Sequence, residues 1–479
     1  MEKPNYIGYD FKDFQQELED LDQTHPNVIR RESGVTYRDE FALLELQSIS
    51  ERHYEQVLEG WSRSYYLPEK HLEAILAYSM PNIPSNYVNQ KMYAQCIDVV
   101  IEGLRSLPSV RAFDVLTELD QVSFKSSTAA GYGYIGAKGA PGDLNHRRAI
   151  ARAKAVMWSA INPKGEGIDH VLSTAVPDVG YTRTQLTEIT VKTKVRSVWG
   201  RAFHYILLEG LFADPLLKSF IETETFYHIG QDPTHSVPNI LSILSEQCKW
   251  KYAIDWKQFD ATVSRFEIHA AFDILQSKLI FPNDETRQTF EICRQLFIHK
   301  KIAAPDGKVY WAHHGIPSGS YFTSIVGSII NRLRIEYLWR TITGHGPKIC
   351  YTQGDDSLCG DDILIPPEKF AEVANLIGWY FNPDKTEYSV AAEAVSFLGR
   401  TYHGGMNERD LIKCLRLLIF PEYPVQSGRI SAYRARSIAE DAGGISDLLN
   451  RIALRLKRQH GVASEEEVPS YFKLYVLNM

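Results

Sequence analysis

The sequence predicts an α+β fold in which a small antiparallel sheet is backed by helices and followed by a basic, helical C-terminal region. Three observations carry this reading. Residues 251–254 form a short strand that runs into an amphipathic helix at 261–275. Residues 349–359, ICYTQGDDSLC, are two strand segments around a tight Gly-Asp-Asp turn. Between them a loop at 315–320 opens a helix whose apolar face carries Ile325, Ile329 and Leu333.

Composition bounds the rest. The 479 residues are 44% hydrophobic, 23% charged and 11% aromatic, which excludes a mainly disordered chain and a short binding module. At roughly 100–200 residues per domain, about two to four domains are expected, or one large domain with lobes around a cleft. The longest uncharged stretch, 309–331, contains two His, four Ser, three Gly and a Pro, so it is not a bilayer-spanning helix of ~20 apolar residues. The first residues, MEKPNYIGYDFKDF, have no apolar core behind a basic start, so neither a secretion nor an insertion signal is expected. Cysteines 96, 248, 293, 350, 359 and 414 include no CxxC pair, which predicts reduced thiols in a cytosol-like compartment and no zinc finger.

The net charge of −7 hides an uneven distribution. Residues 1–50 carry 5 Lys+Arg against 11 Asp+Glu, whereas 145–201 carry 10 against 4 and 409–458 carry 10 against 5. Two basic zones permit a polyanionic partner, although the Arg-rich helices at 429–436 and 451–458 also read as solvated faces.

In chain order, the first 120 residues read as helices and loops with breaks at Pro81, Pro84 and Pro108. The loop at 126–143, SSTAAGYGYIGAKGAPGD, holds five glycines and contains GxGxxG at Gly131, Gly133 and Gly136. More glycine and Pro141 follow where a dinucleotide fingerprint needs a helix, so a Rossmann site is rejected; a close backbone approach or a mobile linker remains. At 189–199, ITVKTKVRSVW alternates with period two and places Lys192, Lys194 and Arg196 on one face, a cationic row suited to successive phosphates or to a protected edge strand. Asp255 ends the 251–254 strand and Asp260 opens the following helix, a spacing that alone usually means a turn and an N-cap. Thr323, Gly327 and Asn331 recur every fourth residue and share a helix face. The 349–359 turn exposes Asp355 and Asp356; a second GDD at 360–362 lies at the far end of the second strand, so Asp361 and Asp362 are expected on the surface. Lys385 falls in an Asn-Pro-Asp turn before a strand-like segment at 395–402.

Taken together, these pieces resemble the viral RNA-dependent RNA polymerases, most closely those of small double-stranded RNA viruses of the partitivirus type. The glycine loop is similar to their template-entry motif and KTKVR at 192–196 to their basic finger motif. DWKQFD at 255–260, SGSYFTSIVGSIIN at 318–331 and GDDSL at 354–358 resemble the first three palm motifs, and NPDKTEYS at 382–389 and FLGRTY at 397–402 the fourth and fifth. The resemblance covers roughly 126–402. One departure stands out: the family's second palm motif often has asparagines four and eight residues after its threonine, and here Gly327 occupies the first position.

The resemblance implies a right-hand polymerase with fingers at 1–249 and 276–314, palm at 250–275 and 315–403, and a helical thumb at 404–479. It implies two Mg2+ ions, with Mn2+ as a substitute, held by Asp255 and Asp355 with Asp356 assisting. Asp260, Ser318, Gly319 and Thr323, with Asn331, would surround the ribose; Lys192, Lys194 and Arg196 would hold triphosphate and template; Lys385 would be the general acid for the leaving pyrophosphate. Implied partners are RNA template and nascent RNA, nucleoside triphosphates and a viral capsid protein, with no membrane, in the virion interior and host cytoplasm. A reverse transcriptase would use the same carboxylates, but its third motif places an aromatic residue ahead of the Asp pair, where this turn reads Gln-Gly-Asp-Asp. A non-catalytic RNA-binding virion protein would not need Asp255, Asp355 and Asp356.

Overall fold

In the computed structural model, which describes residues 18–21, 36–162, 164–191 and 194–473, the strand Trp250–Ala253 lies inside a four-stranded antiparallel sheet. The order is Ile349–Gln353, Asp356–Asp361, Trp250–Ala253, Glu387–Ser389. Tyr252 anchors the sheet to its helices: its ring meets Trp339 edge-on at 5.0 Å and Phe370 at 6.0 Å, and its hydroxyl donates to the Ile363 carbonyl at 2.6 Å. Trp339 belongs to the helix Thr323–Thr343 and Phe370 to Pro367–Ile377. Helix Arg265–Gln276 is tied to the first of these by Arg334, which forks onto Glu267 at 2.5 and 2.9 Å inside the core. Removing one partner of such a buried pair costs about 3–5 kcal/mol, because the other charge is left uncompensated.

A second, mixed sheet contains Leu18–Asp20, Val309–Ala312, Lys300–Ala303, Asp178–Thr184 and Val195–Gly200 in that order. Residues 276–314 thus return to the sheet that carries Arg196. The third layer is helical. Leu411–Ile419, Gly428–Asp441 and Asp447–His460 share one apolar cluster with the N-terminal helices Glu40–Ile49 and Glu51–Leu58. Buried Asp39 pairs with Arg434 at 2.5 Å across this junction.

Several expectations change. Residues 40–58 join the C-terminal helical layer, so 1–249 is not one unit; their apolar face was readable in sequence, but not the surface it would meet. The helix expected at 261–275 breaks at Val263, and Ser264 starts the second part with a capping box to Glu267. Of the residues described within the strand expected at 189–199, those from Val195 onward are strand, and the chain turns after Glu188. Residues 395–402 do not enter the main sheet. Leu398 and Gly399 adopt left-handed backbone and turn the chain, and Thr401–His403 pairs instead with Met406–Glu408.

The basic C-terminal helices are partly neutralised: Arg429 pairs with Glu467, Arg436 with Glu440, and Arg455 with Glu45. All six cysteines are free and buried. No helix among the described residues is long and apolar enough to cross a membrane.

Candidate active site

Two neighbouring strands bring the first carboxylates together. Tyr252 pairs with Cys359 and Trp250 with Asp361; continuing that antiparallel register sets Asp255 across from Asp356, and the Ile254 N–H donates to Ser357 Oγ at 3.2 Å on the way. Asp255 is held on three sides. Its N–H donates to Thr386 Oγ1 at 3.1 Å, its carbonyl accepts from the Asn382 N–H at 3.0 Å, and its Oδ2 accepts from the Asn382 amide at 2.6 Å.

Asp355 and Asp356 occupy the hairpin tip, where Gly354 takes the positive φ of +61° that a tight hairpin turn needs at its first central position. Both side chains reach solvent, yet nearby protein partly desolvates them. That desolvation pushes the Asp356 carboxyl up to about 6, with Asp355 and then Asp255 adding repulsion. Asp355 moves up for the same leading reason, with Arg196 opposing the shift and Asp255 adding to it. The second GDD is different. Asp361, expected on the surface, is 1% exposed and its Oδ2 accepts from the Trp339 indole at 2.6 Å, because the strand's far end runs under the long helix. Asp362 is exposed and pairs with Lys348.

The tip rests on the helix Thr323–Thr343. Ser328 Oγ accepts from the Gly354 N–H at 2.8 Å, and a Cβ on Gly327 would lie 3.6 Å from Gly354 Cα. Asn331 is fully buried: its amide nitrogen donates to the carbonyls of Gly354 (3.0 Å) and Asp356 (3.1 Å), and its Oδ1 accepts from the Trp256 indole at 2.9 Å. Both of its donor hydrogens are spent below the tip. Asn331, expected beside a ribose, is here a buried brace beneath the tip; helical periodicity identified its face but not that the hairpin would cover it.

The loop at 315–320 lies against the strand Val195–Gly200. Ser318 Oγ accepts from the Trp199 N–H at 3.0 Å, and a Cβ on Gly319 would lie 2.0 Å from the Trp199 carbonyl oxygen. Thr323 Oγ1 faces the carbonyls of Pro317 (2.7 Å) and Ser320 (2.9 Å), and the Ile316 N–H donates to the Asp260 carbonyl at 2.7 Å. Asp260 is pushed up to about 7 by burial and by Asp355, against the pull of Arg196. Arg196 is exposed on its strand. Asp255, Asp260, Asp355, Asp356 and Arg196 thus form one electrostatic cluster, with Ser318, Gly319 and Thr323 in the adjoining loop.

Lys385 sits exposed in a turn between Asn382 and Thr386, the two residues that grip Asp255. Lys194 is exposed just ahead of the Val195 strand, and Lys192 lies outside the described residues. Asn382, Thr386, Trp256 and Ser328 were not singled out as supports by sequence. Asn382 opens a turn signature, but its partner lies 127 residues away.

Among the described residues no three His, Cys, Asp or Glu side chains form a closed metal cage. The donor set nevertheless suits Mg2+, which typically takes one or two carboxylates and completes its shell with water and substrate phosphates. The hard oxygens of Asp255, Asp355 and Asp356 repel one another and face solvent, as such a site requires.

The solved RNA-dependent RNA polymerase of a human picorbirnavirus has the same architecture: it aligns with 92% of this chain and 87% of its own at a TM-score of 0.66, with 15% identical residues. An insertion-loop deletion mutant of that polymerase aligns with a TM-score of 0.63. The fold is therefore that of a right-hand polymerase. The chain belongs to the viral RNA-dependent RNA polymerase family, whose sequence model matches residues 37–457. The RNA-directed RNA polymerase of Cryptosporidium parvum virus 1 is 31% identical over 327 residues, 60% of this chain, and the match spans 60% of that relative's length. The genome polyprotein of human hepatitis A virus genotype IA is 24% identical over 193 residues, 40% of this chain and 8% of the polyprotein.

Proposed function

We propose that this chain copies RNA from an RNA template by two-metal nucleotidyl transfer, in replication and transcription of a viral RNA genome. The observation that carries the reading is the convergence of Asp255 with Asp355 and Asp356 from adjacent strands, in front of Arg196. Asp255, Asp355 and Asp356 would hold the ions, Mg2+ by hardness and Mn2+ as a substitute. When bound, the metal pair lowers the pKa of the attacking 3′-hydroxyl and neutralises charge on the leaving pyrophosphate.

The chain's own residues do the positioning. Arg196, helped by Lys194 and Lys192, holds the triphosphate; Asp260 with Ser318, Gly319 and Thr323 borders the ribose; Lys385 donates a proton to the pyrophosphate oxygen as it leaves. In this reading the four-stranded sheet and its helices are the palm, the Arg196 sheet with residues 276–314 belongs to the fingers, and the C-terminal helices with residues 40–58 form the thumb. RNA and nucleoside triphosphates are the substrates, a capsid protein is the assembly partner, and the virion interior and host cytoplasm are the working compartments.

Extension of a primed RNA template with rNTPs and Mg2+ tests the proposal. Product that depends on template and metal, exceeds that with dNTPs and vanishes in Asp355→Asn supports it. No product with either metal would overturn it.

A further inference from the structure

The glycine-rich segment at 126–143 is a built loop, not a linker. Ala129 and Ala137 bridge across it, and the Asn145 amide donates to the carbonyls of Ile135 (2.9 Å) and Ala137 (2.7 Å). Its base is seated on the start of the helix Phe203–Glu222. A Cβ on Gly131 would lie 2.9 Å from both Ala202 Cα and the Arg201 carbonyl, and Tyr134 Oη bonds His204 Nδ1 at 2.9 Å. That junction directly follows the strand carrying Arg196, so the loop is fixed relative to Arg196 and the acidic cluster it faces.

At the tip, Ile135 is 88% exposed, more than any other large hydrophobic side chain among the described residues, and neighbouring Leu144 is 55% exposed. Arg147 and Arg148 emerge beside them from the helix Leu144–Ile161, exposed and with no ion pair among the described residues. Arg152 stiffens the base, donating to the Gly133 carbonyl at 2.9 Å and lying over the Tyr134 ring at 4.4 Å. A scattered surface isoleucine is ordinary. A braced loop that holds one clear of the protein gains nothing from its burial, so folding does not account for it.

We propose that Ile135 is a wedge at the fork where duplex RNA opens ahead of the active site, with Arg147 and Arg148 engaging the phosphates on either side. The inference rests on the polymerase reading above. Apolar side chains that enter a base step separate stacked bases, and neighbouring arginines hold the backbone while they do so. The unpaired arginines favour a polyanion over a protein surface as the occupant.

The test compares extension by wild type and Ile135→Ser on a primed single-stranded template and on the same template with a complementary RNA annealed downstream. The serine variant should keep its thermal unfolding midpoint, since the side chain is exposed, while its duplex-to-single-strand rate ratio falls about tenfold, the effect of losing an unstacking contact. Ile135→Leu should restore most of the ratio. An unchanged ratio, which would leave the tip to a protein contact, overturns the inference, as does an equal loss on both templates. Wild type that copies single strands but never enters the duplex overturns it too. Wild type inactive on both templates would instead overturn the polymerase reading, and the wedge with it.

Discussion

The Asn331 amide donates to the Gly354 carbonyl at 3.0 Å, so a residue buried in the long helix holds the tip that presents Asp355. Its oxygen takes the Trp256 indole N–H, and Trp256 directly follows Asp255. One side chain thus couples the two segments that carry Asp255 and Asp355. Asn331→Ala should lower kcat steeply and reduce stability by about 3 kcal/mol or more, since removing one partner of a buried hydrogen bond costs about 1–3 kcal/mol and three bonds are lost. The preference for rNTP over dNTP should stay, whereas Asp260→Ala should narrow it. Single-turnover incorporation of paired nucleotides measures both, and a larger sugar effect at Asn331 would return it to the ribose pocket.

The two GDD turns give an internal control. Asp355→Asn should abolish synthesis with folding retained, and Asp362→Asn, on the surface, should leave both near wild type. Asp361→Asn should lose about 1–3 kcal/mol of stability, as a charge-assisted bond to Trp339 becomes a neutral one, while activity per folded molecule persists. Thermal unfolding alongside extension rates distinguishes the three.

Gly319 and Gly327 should respond oppositely to alanine. At Gly319 the new methyl would meet the Trp199 backbone oxygen at 2.0 Å, so the loop or the strand must move and activity should fall at least tenfold, the scale of a displaced positioning element. At Gly327 the nearest atom is 3.6 Å away, an ordinary contact, so Gly327→Ala should retain activity. Rates at equal folded fraction decide it.

Lys385→Ala should lower kcat by ~10²- to 10⁴-fold, the range for a lost general acid, with nucleotide KM and template affinity little changed. Arginine, with a pKa above ~12, should restore charge but little of the rate. Parent-like behaviour of both variants in single-turnover measurements would remove Lys385 from the chemistry.

His204 links acid stability to the glycine loop. Burial, then Arg152, lowers its pKa to about 3, so the folded state holds it neutral with Nδ1 bonded to the Tyr134 hydroxyl. Because the folded pKa lies below the unfolded value near ~6.5, this stability is present above pH ~6.5 and is lost as pH falls toward 3. Relative to His204→Gln, wild type should lose up to ~1.4 kcal/mol more per pH unit across that window. Equal slopes in denaturant titrations at pH 7, 6 and 5 would exclude His204 as the source.

The sequence by itself determined the family. Carboxylate types, the Gly-Asp-Asp turn and the order of motifs along the chain are local, and local geometry follows from backbone preference: glycine for a positive φ, alternation for a hairpin, a turn at Asn-Pro-Asp. Tertiary structure alone decided what lies beneath and beside these parts. Periodicity places Asn331 on the helix face it shares with Thr323 and Gly327, but only packing of the hairpin over that face makes it a brace beneath the tip. Asp361 looked like a surface turn until the long helix covered it, and residues 40–58 read as an early helical segment until their apolar side met the C-terminal helices. In each case the deciding partner is distant in sequence, and burial is a property of the assembled surfaces that no short window of residues contains.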